Sequence, residues 1–82
     1  MLSAYPNPAS GPVYLAYTVP EGVEQAEIRL LDAGGRLLAQ RRVAPQNGIL
    51  ELQTKELATG LHVASLYFDG IQVGSAKVNM AR

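Results

Sequence analysis

Turn-forming residues interrupt this chain of 82 residues at short, regular intervals. No window of about 11 residues repeats apolar residues at the helical spacing of about 3.6 without a Gly or a Pro inside it. Between the interruptions apolar and polar positions alternate, as Val13, Leu15 and Val19 do with their neighbours. An alternation of period two is typical of a strand with one buried face. We therefore predict an all-β chain.

The alternating segments number seven, and clear turn signals separate several of them. Asp32-Ala33-Gly34-Gly35 and Asp69-Gly70 contain residues that accept positive φ, so each predicts a tight hairpin. Short strands with turn signals about every 8 to 12 residues are typical of an Ig-like sandwich. The sequence predicts an all-β, seven-stranded antiparallel Ig-like β-sandwich, with a small open barrel as the alternative. The strands are expected near 2–5, 13–19, 26–30, 36–43, 50–53, 61–68 and 71–80.

The alternation also predicts which side chains face the core. Those expected inward are Val13, Leu15, Val19, Leu30 and Leu66, with Leu57 covering the core from a loop. In the fourth strand Leu37, Ala39 and Val43 share one phase with Arg41. Either Arg41 lies at the rim of the core with its aliphatic stem buried, or a β-bulge shifts the phase of this strand.

The composition indicates one small folded domain and argues against several classes of protein. Hydrophobic residues are 48% and charged residues 17% of the chain, which is too apolar for a disordered tail. Seven Lys and Arg against seven Asp and Glu leave no net charge to attract nucleic acid. With no Cys there is neither a disulfide nor a thiolate site. Apolar runs fall far short of the roughly 18 residues that span a bilayer, so no stable membrane insertion is expected.

His62 is the chain's one histidine, so a hydrolase triad would depend on it. A triad would need it beside a Ser and an Asp, but no Ser lies in a nucleophile-elbow motif. Glu21, Glu24 and Glu27 would share one face of a helix, yet Pro20 argues against a helix there. We therefore expect no catalytic residue, no cofactor and no metal site.

Three motifs follow one another in an order that covers nearly the whole chain. Tyr5-Pro6-Asn7-Pro8 opens it, Asp32-Ala33-Gly34-Gly35-Arg36 lies near the middle, and Leu57-Ala58-Thr59-Gly60 leads into the last two strands. In this order and spacing the chain resembles the C-terminal sorting domain, type A, of the type IX (Por) secretion system of Bacteroidota. The positions that correspond to the family's structural motifs are Tyr5, Pro6, Asn7, Pro8, Asp32, Gly35, Arg36, Leu57, Gly60 and His62.

The chain departs from the family's pattern at two places. Ala58-Thr59 replaces the usual Pro-Ala, and His62 replaces a Tyr whose role looks like the tyrosine corner of Ig-type sandwiches. A ring N–H can donate to the same backbone group that a tyrosine hydroxyl would reach. A structural role is therefore expected for His62.

The resemblance implies that the domain directs a cargo protein through the type IX system across the outer membrane. The implied partners are translocon components and a sortase-like peptidase that removes the domain. The implied location is the medium or the cell surface, reached through the periplasm. Residues 1–82 are expected to form a single monomeric domain cut from the end of a larger secreted precursor. Recognition is expected at the last strand, at Gly74, Lys77, Val78 and Met80.

Two other functions fit parts of the sequence. A related Ig-like module of the flagellar hook-capping protein also opens with a Tyr-Pro-Asn-Pro-like motif, so a structural role is the nearest alternative. A carbohydrate-binding or adhesive accessory module of an extracellular enzyme is the other, because outward-facing Tyr14 and Tyr67 could stack on sugar rings.

Overall fold

Seven antiparallel strands form two sheets in the computed structural model, which describes residues 1–81. The strands are β1 (Leu2–Tyr5), β2 (Val13–Tyr17), β3 (Ala26–Asp32), β4 (Leu37–Val43), β5 (Gly48–Leu52), β6 (Gly60–Phe68) and β7 (Ile71–Met80). The order is β1-β2-β5 in one sheet and β4-β3-β6-β7 in the other. The prediction of an Ig-like sandwich with seven strands is confirmed, since two separate sheets replace the barrel alternative.

The core lies between the two sheets and takes one face of each. Buried side chains include those of Val13 and Leu15 on β2, Leu30 on β3 and Leu66 on β6, as predicted. Val19 lies beyond the end of β2 and is partly buried against the core. The alternation in the sequence therefore indicates the inward face correctly in both sheets.

Tyr17 is also buried, although it is not among the residues expected in the core. Tyr17 pairs with Gly48 on β5. A Cβ added at Gly48 would lie 2.6 Å from the Tyr17 hydroxyl. A glycine at this position therefore makes room for the aromatic ring.

A β-bulge explains the mixed phase of β4. Leu30 of β3 pairs with Ala39, but the next residue, Leu31, pairs with Leu37, so Leu38 has no partner of its own across the strands. One extra residue reverses the faces that follow it. Leu37 consequently points to the outer face, where it is 49% exposed.

Arg41 lies on the inward side of β4, opposite Ile28. A cleft of about 360 Å³ separates the edges of β4 and β5 there, and Arg41 and Leu57 both line it. Leu57 packs against the core from its loop, as predicted. Arg41 remains exposed at the rim of the sandwich, so the rim position and the bulge both occur in this strand.

Both predicted hairpin turns are present. Asp69 and Gly70 have φ of 48° and 86°, the positive values that a two-residue turn between antiparallel strands requires. The Asp69 carboxylate also accepts hydrogen bonds from the backbone N–H groups of Glu24 and Gln25, at 3.1 and 2.8 Å. The β6–β7 turn thereby holds the segment that enters β3.

Candidate functional site

The opening motif lies against the outer edge of β7. The side-chain amide of Asn7 donates to the carbonyl oxygen of Lys77 over 2.8 Å, and its oxygen accepts from the backbone N–H of Asn79 over 2.9 Å. A side-chain amide supplies a donor and an acceptor, as the backbone of a neighbouring strand does. Asn7 therefore takes the place of a strand beside β7.

Ala9 continues this cover with its backbone. Its N–H donates to the Asn79 carbonyl oxygen over 2.7 Å, and its carbonyl oxygen accepts from the N–H of Ala81 over 2.8 Å. Ala9 forms a parallel bridge with Met80 and is 1% exposed. The peptide bonds that precede Pro6 and Pro8 are both cis. Residues 7–9 together form an edge clamp on the end of β7.

The four residues expected to carry recognition lie in different environments. Lys77 is exposed on the outer face of the four-stranded sheet, opposite Val63 of β6. Gly74 is half-buried within β7. Val78 and Met80 are each 1% exposed and belong to the core. Lys77 is therefore the one of the four whose side chain reaches solvent while the fold stays intact.

The Asp32 carboxylate organises the turn between β3 and β4. Its Oδ1 accepts from the backbone N–H groups of Gly34 and Arg36, at 3.0 and 2.8 Å, and its Oδ2 lies 3.2 Å from Nε of Arg36. The hydrogen bond from the Arg36 N–H, above all, holds the pKa of the Asp32 carboxyl below its ordinary value, against an opposing effect of desolvation. Gly35 takes φ of 88°. The central motif is thus a turn stabilised by its own residues.

His62 is 3% exposed near the start of β6. Its Nδ1 lies 3.2 Å from the carbonyl oxygen of Gly60. Because a carbonyl oxygen only accepts, this contact requires the proton on Nδ1. The contact has the form expected from a residue that replaces the corner tyrosine, a ring nitrogen bonded to nearby backbone.

An open cleft of about 320 Å³ lies beside His62, and Asp32 and Leu57 also line it. No serine is found among the described residues that line this cleft. The Asp32 carboxylate is already bonded within its own turn. His62 and Asp32 therefore share a cleft without a nucleophile beside them.

The two outward tyrosines both have partners within the chain. Tyr14 stacks on Tyr5 with 5.7 Å between the ring centroids and 27° between the planes. The Arg29 guanidinium lies 4.1 Å from the centroid of the Tyr67 ring. Stacking and cation–π contacts of this kind stabilise a sheet surface. Each tyrosine thus contributes to packing on its own sheet.

Two polar side chains have roles that sequence reasoning missed. The hydroxyl of Thr54, which is 4% exposed, donates to the Gly11 carbonyl oxygen over 2.7 Å and joins the loops that flank β2 and β5. The other is Asn7, whose side chain bonds to the backbone of β7 at Lys77 and Asn79. The prolines on both sides of Asn7 are the one available signal, because each restricts the backbone that aims the side chain.

The fold and the site define a small Ig-like sandwich whose last strand is held along its edge by residues 7–9. Within residues 1–81, no three side chains of the metal-ligating types come together closely enough to hold an ion. The same stretch has no helix with the length and apolar character needed to cross a membrane.

The comparison with protein families identifies the chain more closely. The model of the secretion system C-terminal sorting domain matches residues 3–78, and the chain belongs to this family. It is a C-terminal sorting signal that directs cargo through the type IX secretion system, across the outer membrane to the cell surface or the extracellular space. Sorting domains of this family are not catalytic, and the match gives no support to the hook-capping or carbohydrate-binding alternatives. Searches of curated proteins and of solved structures found no match.

Proposed function

We propose that residues 1–82 are the last folded unit of a larger secreted precursor and act as its address without catalysing a reaction. In this proposal the precursor crosses the periplasm, translocon components engage the folded sandwich, and a sortase-like peptidase then removes it. The support is that the family match and the hydrophobic core extend over the same stretch of chain. A module with its own core can follow unrelated cargo domains through the same machinery.

The contact between the two ends of the domain carries this proposal. The edge clamp bonds to the backbone of β7 at Lys77 and Asn79, and to the backbone of Ala81 just after it. The opening motif and the closing strand are therefore parts of one folded unit, although they lie at opposite ends of the sequence. This arrangement favours recognition of a rigid surface over recognition of a linear peptide.

The proposed recognition residues divide according to their exposure. Lys77 is proposed to contact the translocon directly, because its side chain lies in solvent. Val78 and Met80 are proposed to act indirectly, by holding β7 against the core. Gly74 is proposed to leave the middle of β7 accessible, since no atom beyond its two chain neighbours lies within 4 Å of the position that a Cβ would occupy there.

The test is a reporter with an N-terminal export signal, followed by residues 1–82, in a bacterium that has the type IX machinery. Deleting residues 77–82 should abolish delivery of the reporter to the surface or the medium. The deletion removes Lys77 and also the backbone groups that the edge clamp holds, so it can unfold the domain as well.

Lys77→Ala separates these two effects, because it keeps the β7 backbone and the edge clamp. Its free energy of unfolding should change by less than about 0.5 kcal/mol while delivery falls. Arg42→Ala, another exposed cation on the same sheet, is the matched control and should leave delivery unchanged. If folded Lys77→Ala is delivered as well as the wild type, the direct role of Lys77 is wrong.

A further inference from the structure

The outer face of β6 breaks the alternation that the rest of the sheet follows. His62 points inward and is 3% exposed, whereas its neighbours Leu61 and Val63 point outward. Leu61 is 40% exposed and Val63 is half-buried. A strand that packs on one side only is expected to place its polar residues outward. At this end of β6 the apolar residues are outward instead.

Neighbouring strands add apolar side chains to the same place. Val63 pairs with Leu31 of β3, and Leu31 pairs with Leu37 of β4, which the bulge turns outward. On the other side Val63 pairs with Lys77 of β7. A row of three apolar residues thus crosses the sheet and ends at a lysine. Leu61 and the row Leu37, Leu31, Val63 and Lys77 are here termed the apolar end of the outer face.

Much of the middle of this face has the polar character expected of a solvated sheet. Arg29 bonds to the Glu27 carboxylate, with Nε 3.3 Å from Oε2, and covers the Tyr67 ring. The hydrogen bond to Glu27, above all, raises the pKa of the Arg29 guanidinium above its ordinary value. The Gln72 side chain lies between Tyr67 and Ser65. Its Oε1 is 3.5 Å from the Tyr67 hydroxyl, and its Nε2 is 3.5 Å from the Ser65 hydroxyl. Leu37 and Leu61 are thus the exposed apolar side chains at the end of the sheet where β7 ends, whereas Ile71 and Val73, 69% and 48% exposed, lie where β7 begins.

Lys77 adds one positive charge to the apolar end. Among residues 1–81 its ammonium forms no ion pair, and the carboxylates of Glu27 and Asp32 on β3 are paired with Arg29 and Arg36. A nucleic acid or an anionic lipid surface would call for several cations. One carboxylate among apolar groups is the complementary surface.

We propose that the apolar end is the docking surface for a protein component of the secretion machinery that presents apolar side chains and a carboxylate facing Lys77. The inference rests on the sorting function described above. It extends the contact proposed for Lys77 from one strand to side chains of four strands. The partner would then contact Lys77 near the end of the chain together with Leu31 and Leu37, which lie far from Lys77 in the sequence.

The test compares surface delivery of the reporter fusion for three variants of the full domain. The double variant Leu37→Gln with Leu61→Gln should reduce delivery by about tenfold or more, because both exposed apolar contacts become polar. Ile49→Gln is the matched control, since Ile49 is 62% exposed on the other sheet, and its delivery should be unchanged. If the double variant is unstable, the single variant Leu37→Gln replaces it in the test and should also reduce delivery of the reporter.

The charge is tested separately. Lys77→Glu should reduce delivery of the reporter, because the partner is proposed to supply a carboxylate. Lys77→Arg keeps the positive charge and should leave delivery at the wild-type level. If the double variant folds and is delivered normally, the proposed docking surface is wrong, while the sorting function is unaffected. Failure of the wild-type fusion to be delivered would overturn both. A wild-type dimer that the double variant converts to a monomer would show that a second copy occupies the surface, and would also overturn the proposal.

Discussion

The side-chain amide of Asn7 donates a hydrogen bond of 2.8 Å to the carbonyl oxygen of Lys77, seventy residues further along the chain. The bond joins the opening motif to β7, the strand in which the family match ends. It also covers backbone groups on the edge of β7 that would otherwise be open to pairing with another chain. The amide thus both holds the last strand and limits which part of its edge a partner can reach.

Asn7→Ala should lower the free energy of unfolding by about 1 to 2 kcal/mol, because it removes both side-chain hydrogen bonds to β7. Denaturant unfolding measures the change. Asn79→Ala is the control, since it makes the same chemical change but keeps the Asn79 backbone N–H that Asn7 binds. Equal losses in the two variants would contradict the role assigned to the edge clamp.

Leu30→Ala and Leu66→Ala should each destabilise the domain by about 2 to 4 kcal/mol, because both side chains are buried between the sheets. The free energies of unfolding of the purified variants test this. Ile49→Ala, at a side chain that is 62% exposed, should cost less than about 0.5 kcal/mol. Losses below about 1 kcal/mol at both core positions would show that the assigned inward face is wrong.

His62→Tyr should be tolerated or slightly stabilising. The larger ring has the cleft beside Asp32 and Leu57 to extend into, and a hydroxyl can hydrogen-bond to local backbone as the ring nitrogen does. The midpoint of denaturant unfolding is the measurement. A loss of more than about 2 kcal/mol would mean that His62 makes a contact that tyrosine cannot satisfy.

Asp32 should make the stability of the domain depend on acid pH. Its pKa is lower in the folded state, so its contribution is fully present above the unfolded value of about 3.9 and is lost as the pH falls through the folded pKa. An NMR titration of the Asp32 carboxyl should give a midpoint below that unfolded value. Asp32→Asn should weaken the loss of stability in this range, and a midpoint at or above the unfolded value would contradict the account.

Local patterns were sufficient to predict most of the fold. The ends of β1 and β7, the inward positions of Leu15, Leu30 and Leu66, and the Asp69-Gly70 turn all follow from alternation and turn chemistry, which act over a few residues. The exact end of β2 is less well predicted. The alternation continues to Val19, but the strand ends at Tyr17.

Features that depend on the meeting of distant segments could not be predicted in this way. The sequence left a β-bulge in the fourth strand as one of two alternatives, and only the pairing register against β3 shows that an extra residue turns Leu37 outward. The contact of Asn7 with Lys77 exists only once the two sheets have assembled. The apolar surroundings of Lys77 could not be predicted either, since the apolar residues that share the outer face with it come from three other strands.

The central claim is that this domain is sufficient as an address for the type IX system. The most direct measurement is the location of a reporter with an export signal, fused in front of residues 1–82, in a bacterium with the type IX machinery and in a strain that lacks the translocon. The account predicts reporter on the surface or in the medium of the first strain and in the periplasm of the second. A folded fusion that stays in the periplasm of both strains would contradict it.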